Sequence, residues 1–311
     1  MSTGFAFSDD NKRYHTLSYH NRHTYGRRVC KAVIDAGFTC PNIDGTKGTG
    51  GCAFCSGGSG YFTADPAVPV SEQFRREKER ILRKYPDALV IAYFQAHTNT
   101  YAELSTLKAL YSEAISAGAD GISIATRTDC INEESAELIR SLGVPATVEL
   151  GLQSIHDRTT ERMNCHHSSS DFLNAMRLLK EYGIRTCVHL IDGLPGETHE
   201  MMCETAEAVG KQRPDAVKIQ LLHVIKGTPL HEMFLRGEYI PMTRESYIDT
   251  VVRQLGYLPP ETVIERVTGD GDKRTLVAPM WSTDKIAVLG GIDRRMKELD
   301  VYQGDSCSQK A

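Results

Sequence analysis

The feature that most constrains this chain is a rhythm. Six short apolar, partly β-branched runs recur along it: "RRVCKAVID", "ALVIAYF" (88–94), "GISIA" (121–125), "ATVELGL" (146–152), "TCVHLI" (186–191) and "AVKIQLL" (216–222). Helical stretches lie between them. "ELSTLKALYSEAISAG" stops at Gly118, "SSDFLNAMRLLKEYG" opens with serine caps and stops at Gly183, and "THEMMCETAEAVG" behaves likewise. Buried strands alternating with helices predict a parallel sheet of β/α units. Either an open doubly wound sheet or a full or partial barrel satisfies this rhythm, and in both the chemistry belongs at the carboxyl ends of the strands. No G-x-G-x-x-G follows the first strand, and every strand runs into a polar or glycine-rich loop, so the partial barrel is favoured. The rhythm breaks near residue 240. The expected organisation is an α/β barrel over 1–240, with a polar lead-in, and an extension over 241–311 packed on the same core.

Composition narrows the functional classes. The 311 residues are 41% hydrophobic and 24% charged with net charge -4, which is long enough for one large barrel and gives no global basic footprint for nucleic acid. No apolar run approaches the roughly 18 residues needed to span a bilayer, and "MSTGFAFSDDNKRYH" lacks the layout of a signal peptide. A cytoplasmic protein with no membrane partner is expected. Nine cysteines scattered through apolar segments read as reduced thiols, not as a secreted disulfide framework.

Three of those cysteines stand apart. Cys40, Cys52 and Cys55 lie in "FTCPNIDGTKGTGGCAFCSGG" (38–58), the loop entered directly from the first strand. A C-x2-C pair is a usual zinc half-site, and His97, His223 or Cys130 at other loop ends would complete one. Soft thiolates in a glycine-rich loop equally suit an iron-sulfur cluster, and three ligands to a 4Fe-4S cluster leave one iron open to a chelating molecule.

The C-x11-C-x2-C pattern, with Phe54 before the last cysteine, resembles the signature of radical S-adenosylmethionine (SAM) enzymes in a longer-spaced variant. In order, "YFQAHTNTYAE", "TRTDC", "ELGLQSIHDRT", "HLIDGLPGET", "LLHVIKGTPL" and "APMW" resemble the YhcC/YtqA group of that superfamily, related to the elongator catalytic subunit and to oxygen-independent coproporphyrinogen dehydrogenase. The resemblance covers about residues 14 to 300. It implies a partial (β/α)6 barrel, a 4Fe-4S cluster on Cys40, Cys52 and Cys55, and SAM chelating the open iron. It further implies reductive cleavage of SAM to a 5′-deoxyadenosyl radical, an electron donor such as flavodoxin or ferredoxin, and tRNA as a partner. The implied substrate is the C5 side chain of a wobble uridine, converted from carboxymethylaminomethyl to aminomethyl. A small-metabolite radical reaction is the alternative, and a zinc-stabilised nucleic-acid-binding protein is the non-enzymatic one.

Cofactor contacts follow from the same motifs. Phe54 is expected beside adenine or in plain core packing, and Gln95 either near the SAM amino group or capping a turn. Gln153, in "LGLQS", suits a ribose hydroxyl or the SAM carboxylate. Glu149 lies an even number of residues before Gln153, so an unbroken strand puts both on the lumen face. A carboxylate buried there needs a cationic or hydroxylic partner: the sulfonium, the ribose or Arg127. His189 stands where the coproporphyrinogen enzymes carry aspartate. Gly193 and Gly196, in "DGLPGET", permit close approach to adenine, with Thr198 as a helix N-cap. Cys130, on the expected active rim, is the candidate hydrogen-atom donor, while Cys30, Cys165, Cys187 and Cys203 read as small buried apolar residues. One departure stands out. Cys165 and His166 replace the Arg-Gly of the family's Asn-Arg-Gly-His, leaving Arg127, Arg158 or Arg162 to serve the SAM carboxylate.

Overall fold

A computed structural model describes residues 4–56, 65–269 and 271–307. Gly57 and Gly58 of the cysteine stretch, and the extreme ends of the two expected regions, lie outside them. Strands form at all six apolar runs: β1 (Val29–Ile34), β2 (Leu89–Phe94), β3 (Gly121–Arg127), β4 (Ala146–Gln153), β5 (Arg185–Asp192) and β6 (Ala216–Leu221). Helix α1 (Leu17–Tyr25) precedes them. The crossovers carry α2 (Val70–Lys84), α3 (Leu104–Ser116), α4 (Glu133–Arg140), the pair α5 (Asp157–Arg162) and α6 (Ser169–Glu181), and α7 (His199–Lys211). Local chemistry sets their starts. Ser168 and Asp171 form a reciprocal capping box on α6, and Thr198 caps α7 by accepting from Met201 N.

Beyond β6 come β7 (Val224–Ile225), α8 (Pro229–Leu235), α9 (Arg244–Tyr257), β8 (Val263–Arg266), β9 (Leu276–Ala278) and α10 (Lys285–Glu298). The main sheet runs β1-β2-β3-β4-β5-β6-β8, every neighbouring pair parallel, while β7 and β9 form a separate antiparallel pair. Thus the sheet gains a seventh strand, β8, from "PPETVIERVTG" (259–269), beyond the six apolar runs. Four residues after two prolines are too few to show a period.

The sheet is strongly curled. Strands β1 and β8 are its two edges, six spacings apart, which in a flat sheet is about 29 Å at ~4.8 Å per strand. Yet Lys31 Nζ on β1 stands 2.9 Å from Glu265 Oε2 on β8. Only a sheet wrapped most of the way into a barrel brings those side chains together, and β1 and β8 do not pair to close it. Alternation along each strand sorts the residues. Ala32, Phe94, Ile124, Leu150, Leu190 and Ile219 face outward into the helix-covered core, whereas Lys31, Tyr93, Ser123, Glu149, His189 and Lys218 meet inside.

Candidate active site

The cysteine loop is a braced structure. Cys40 O accepts from Ile43 N (2.8 Å) and Asp44 N (3.1 Å), and Cys55 N donates to Cys52 O (2.9 Å), making two tight turns around the thiols. The loop is docked onto the segment after α5. Ala53 N donates to Met163 O (2.8 Å), and Asn164 Nδ2 donates to Gly51 O (2.8 Å) and Thr49 O (3.2 Å). The fully buried Asn42 answers by donating through Nδ2 to Asn164 O, with Cys52 Sγ 3.7 Å from the same nitrogen. Gly48 has to be glycine here, because a Cβ would lie 2.7 Å from the His166 ring and closer still to Asn42 Oδ1. Left-handed backbone at non-glycine residues collects on this rim: His97 (φ 58°), Gln153 (φ 64°), Asn164 (φ 56°) and His166 (φ 53°). Such conformations cost energy and persist where surrounding structure over-determines them, as around binding sites. His166 thus adopts a glycine-like conformation at the position where the related motif carries glycine.

Cys165 is not an ordinary core cysteine. It is buried in an apolar cluster with Ala53, Met163, Leu194 and Leu222, against which Cys52 and Phe54 pack. Hydrogen bonds from the Cys165 and Cys55 thiols, helped by the Arg127 guanidinium, pull Cys52 far below the ordinary thiol range. In return the bond to Cys52 pushes Cys165 and Cys55 up. Arg127, one of the arginines expected to replace the missing one, is 8% exposed and forked onto Asp129 (2.8 and 2.9 Å), and Nη2 also donates to His166 O (3.1 Å). Its charge acts on Cys40 and Cys52. Arg162 instead donates to Pro195 O (3.3 Å).

These thiols do not stand in the close-set arrangement of a formed zinc site. Tetrahedral zinc needs its sulfurs about 3.8 Å apart. Among the described residues the His, Cys, Asp or Glu group whose ligand atoms all lie within 4.8 Å of one another is Glu149, Cys187 and His189, not Cys40, Cys52 and Cys55. Three soft thiols on one glycine-rich loop, beside a guanidinium that offsets negative charge, suit an iron-sulfur cluster.

Inside the barrel, Glu149 accepts from five donors. They are Lys31 Nζ (2.6 Å), Ser123 Oγ (2.6 Å), His189 Nε2 (2.7 Å), Tyr93 OH (2.9 Å) and Lys218 Nζ. Burial opposes ionisation, but Lys218 and Lys31 outweigh it and hold Glu149 well below the usual carboxylate range. Both lysines stay protonated for the same reason. Arg127, one of the three partners foreseen from sequence, is committed to Asp129. With two ammonium groups already on Glu149, the Glu149–Cys187–His189 trio has no room for a metal cation. His189 is held neutral by burial and by Lys218, and its Nδ1 meets Gln220 Nε2 at 3.3 Å. Lys31 and Lys218 were missed in the sequence, although a lysine in the middle of "VCKAVI" and "AVKIQL" is itself a signal.

The remaining expected residues are distributed along the rim. The register shifts between Gly151 and Gln153, so the strand is not unbroken, and Gln153 pairs instead with His167 Nε2 (3.0 Å). Gln95 lines a cavity of about 660 Å³ that runs down the lumen past Lys31, Tyr93, Ser123 and Lys218. Gly193 (φ 85°) is buried beneath Met242 and Tyr239; its carbonyl accepts from Tyr239 OH (2.9 Å) and its N–H points to Met202 Sδ (3.2 Å). Cys130 closes the short turn after β3, where burial and Asp129 push its thiol up to about 12. Cys30 packs on the outer core as expected, but Cys187 faces the polar lumen. Arg27 and Arg28 are exposed at the amino end of β1, away from the cysteine loop at its carboxyl end. Two of the six basic residues of α2 pair within the helix, Arg76 with Glu72 and Arg80 with Glu77.

The family model for the radical SAM superfamily matches residues 42–209, and that for the Radical_SAM C-terminal domain matches residues 214–298. The chain belongs to the radical SAM superfamily. It is an enzyme of the YhcC/YtqA-like group. It is 41% identical over 305 residues to YtqA of Bacillus subtilis, covering 96% of this chain and 94% of that protein. A tRNA uridine(34) acetyltransferase of Methanocaldococcus jannaschii is 33% identical over 150 residues, 47% of this chain and 28% of that protein. The solved structure of Methanocaldococcus infernus Elp3 with an N-terminal deletion shares this radical SAM fold, with a TM-score of 0.68 at 21% identity over 89% of this chain. The chain spans 65% of that structure's length. Among the described residues no helix is long and apolar enough to cross a membrane.

Proposed function

We propose that Cys40, Cys52 and Cys55 hold one 4Fe-4S cluster with SAM on its open iron, and that the enzyme acts on the C5 side chain of wobble uridine in tRNA. Cluster and cofactor, when bound and given an electron by a flavodoxin or ferredoxin, supply a 5′-deoxyadenosyl radical. Phe54, Gln95, Gln153 and Gly193 are assigned to the rim that receives SAM, with Arg127 placed to offset the thiolate charge. The reaction is conversion of carboxymethylaminomethyl to aminomethyl. Removing a hydrogen atom from the CH2 between nitrogen and carboxylate gives a radical stabilised by the nitrogen lone pair. Loss of one further electron, which a bound cluster would be able to accept, would give an imine that water hydrolyses to the aminomethyl product and glyoxylate.

The observation that carries this reading is the 150-residue span shared with an enzyme named for uridine 34 of tRNA, within a chain similar to YtqA from end to end. Two measurements test it. Anaerobic reconstitution is expected to load about four irons and four sulfides per chain and to form 5′-deoxyadenosine with a reductant; tight zinc without SAM cleavage sinks the cluster assignment. Transfer RNA from a strain lacking the gene is expected to accumulate the carboxymethylaminomethyl nucleoside, and an unchanged nucleoside profile overturns the tRNA assignment. A small-metabolite substrate is the second reading, favoured by the 660 Å³ of the lumen cavity, which lies in the range of small-molecule sites. There the product radical needs a hydrogen atom, and the protonated Cys130 thiol is its candidate source. The wobble-uridine reaction is oxidative and needs none.

A further inference from the structure

The lumen cavity runs the length of the barrel. At one end it is lined by Val29, Ala146 and Arg185, the first residues of β1, β4 and β5, and at the other by Gln95, the residue after β2 on the carboxyl rim. Interiors of such barrels are ordinarily filled by layers of side chains and form no pore. Spread over the roughly 20 Å of a six-residue strand, a volume of about 660 Å³ averages a bore of roughly 6–7 Å. The end at the amino termini of the strands meets solvent: Tyr25, Arg140, Pro145 and Gly183, which line it, are all exposed.

Two features keep the bore clear. Small side chains, Ser123, Ala146 and Thr147, stand along it. The long ones are pinned to the wall. Lys31 bonds Glu149 Oε1 (2.6 Å) and Glu265 Oε2 (2.9 Å), Lys218 bonds Glu149, and Arg185 meets Glu265 Oε1 at 3.3 Å. The charges of these three are thus answered by acids, so a small anion meets hydrogen-bond donors on the wall without being held by an unmatched cation.

The proposed wobble-uridine reaction exchanges small molecules at every turnover. Hydrolysis of the imine R–N=CH–CO2⁻ takes up one water and gives R–NH2, which stays on the RNA, and OHC–CO2⁻, which has to leave. The RNA delivers its side chain to the carboxyl rim and covers the way in. A nucleotide with its flanking phosphates is too wide for the bore, whereas water and glyoxylate fit it. We propose that the lumen is a second door, which admits the water of hydrolysis and releases glyoxylate at the amino ends of the strands while RNA remains on the rim. This inference rests on the proposed wobble-uridine reading for the identity of the product.

Val29 and Thr147 stand two residues before Lys31 and Glu149, on the lumen face near the solvent mouth. Val29→Phe with Thr147→Phe narrows that mouth and leaves the rim untouched. Reconstituted holoenzyme with SAM is loaded anaerobically with a fluorescent anticodon stem-loop RNA carrying the carboxymethylaminomethyl group, at low salt so that RNA leaves slowly, and reductant starts the reaction. Free glyoxylate is followed by coupling to lactate dehydrogenase, RNA release by fluorescence against an unlabelled chase, and 5′-deoxyadenosine in quenched samples. In wild type, glyoxylate is expected to reach solution about tenfold or more faster than RNA departs. In the double variant the two should coincide within about twofold, with RNA affinity, the 5′-deoxyadenosine burst and the melting temperature unchanged. Should the double variant fail to fold, Val29→Phe alone is expected to slow glyoxylate release several-fold. Glyoxylate that appears only with RNA release in wild type, early glyoxylate that survives in the variants, or a 5′-deoxyadenosine burst that falls in step with it overturns the second door and leaves the wobble-uridine reading standing. An RNA that yields no glyoxylate at all removes that reading, and this inference with it.

Discussion

Lys31 Nζ stands 2.6 Å from Glu149 Oε1, in a barrel lumen where the carboxylate is 1% exposed and has no lone pair to spare. Glu149 is therefore the anchor of a buried charge cluster. Glu149→Gln leaves Lys31 and Lys218 buried without their main counter-ion, and is expected to cost about 3–5 kcal/mol of stability. Urea denaturation at neutral pH measures this. A variant of normal stability with weakened SAM affinity would mark Glu149 as a cofactor ligand instead.

Gly48 tests the bracing of the cysteine loop. A methyl group there presses on the His166 ring and on Asn42, which is locked by its bond to Asn164 O. Gly48→Ala should reduce iron loading on reconstitution several-fold while far-UV circular dichroism and the main thermal transition stay near wild type. Full loading would show that the loop gives way at little cost.

Cys165→Arg restores the residue of the related motif but has nowhere to put it. The site is apolar and closed by Ala53, Met163, Leu194 and Leu222, so the variant is expected to lose about 3 kcal/mol or more and to bind SAM no more tightly. Cys165→Ala should cost about 1 kcal/mol. Tighter SAM binding by Cys165→Arg, read by equilibrium titration, would refute the idea that Arg127 has taken over the charge.

Asp192 makes stability pH-dependent. Burial raises its pKa from 3.8 to about 8, and Gln254 Nε2 donates to Oδ1 (2.7 Å) while Oδ2 is buried without a partner. The folded chain holds a proton here that the unfolded chain releases near 3.8, so this contribution is full below that pH and is lost as pH rises toward 8. Asp192→Asn removes the titration. Its melting temperature is expected to exceed that of wild type at pH 8 and to approach it at pH 5, and parallel curves for the two proteins would show that Asp192 does not titrate in this window.

Local pattern determined the strands, the main helices, their caps and the cysteine loop, because a two-residue or 3.6-residue period and a turn residue are properties of neighbours along the chain. The same holds for the motif that led to the superfamily. Parity put Glu149 on the lumen face only together with Gln153 on an unbroken strand, and it left the face of His189 open. What it could not do was assign their partners, since Lys31 lies 118 residues from Glu149 and 234 from Glu265. Those contacts depend on how far the sheet curls and on β8 joining its edge. Nor did spacing reveal the irregularity at Gly151 that turns Gln153 toward His167, or bring Cys165 beside Cys52, because both follow from one loop docking on another. Secondary structure and ligand spacing are written in short-range periodicity. The lumen charge and the bracing of the cysteine loop are decided by closure of the barrel, which brings together side chains that no local rule relates.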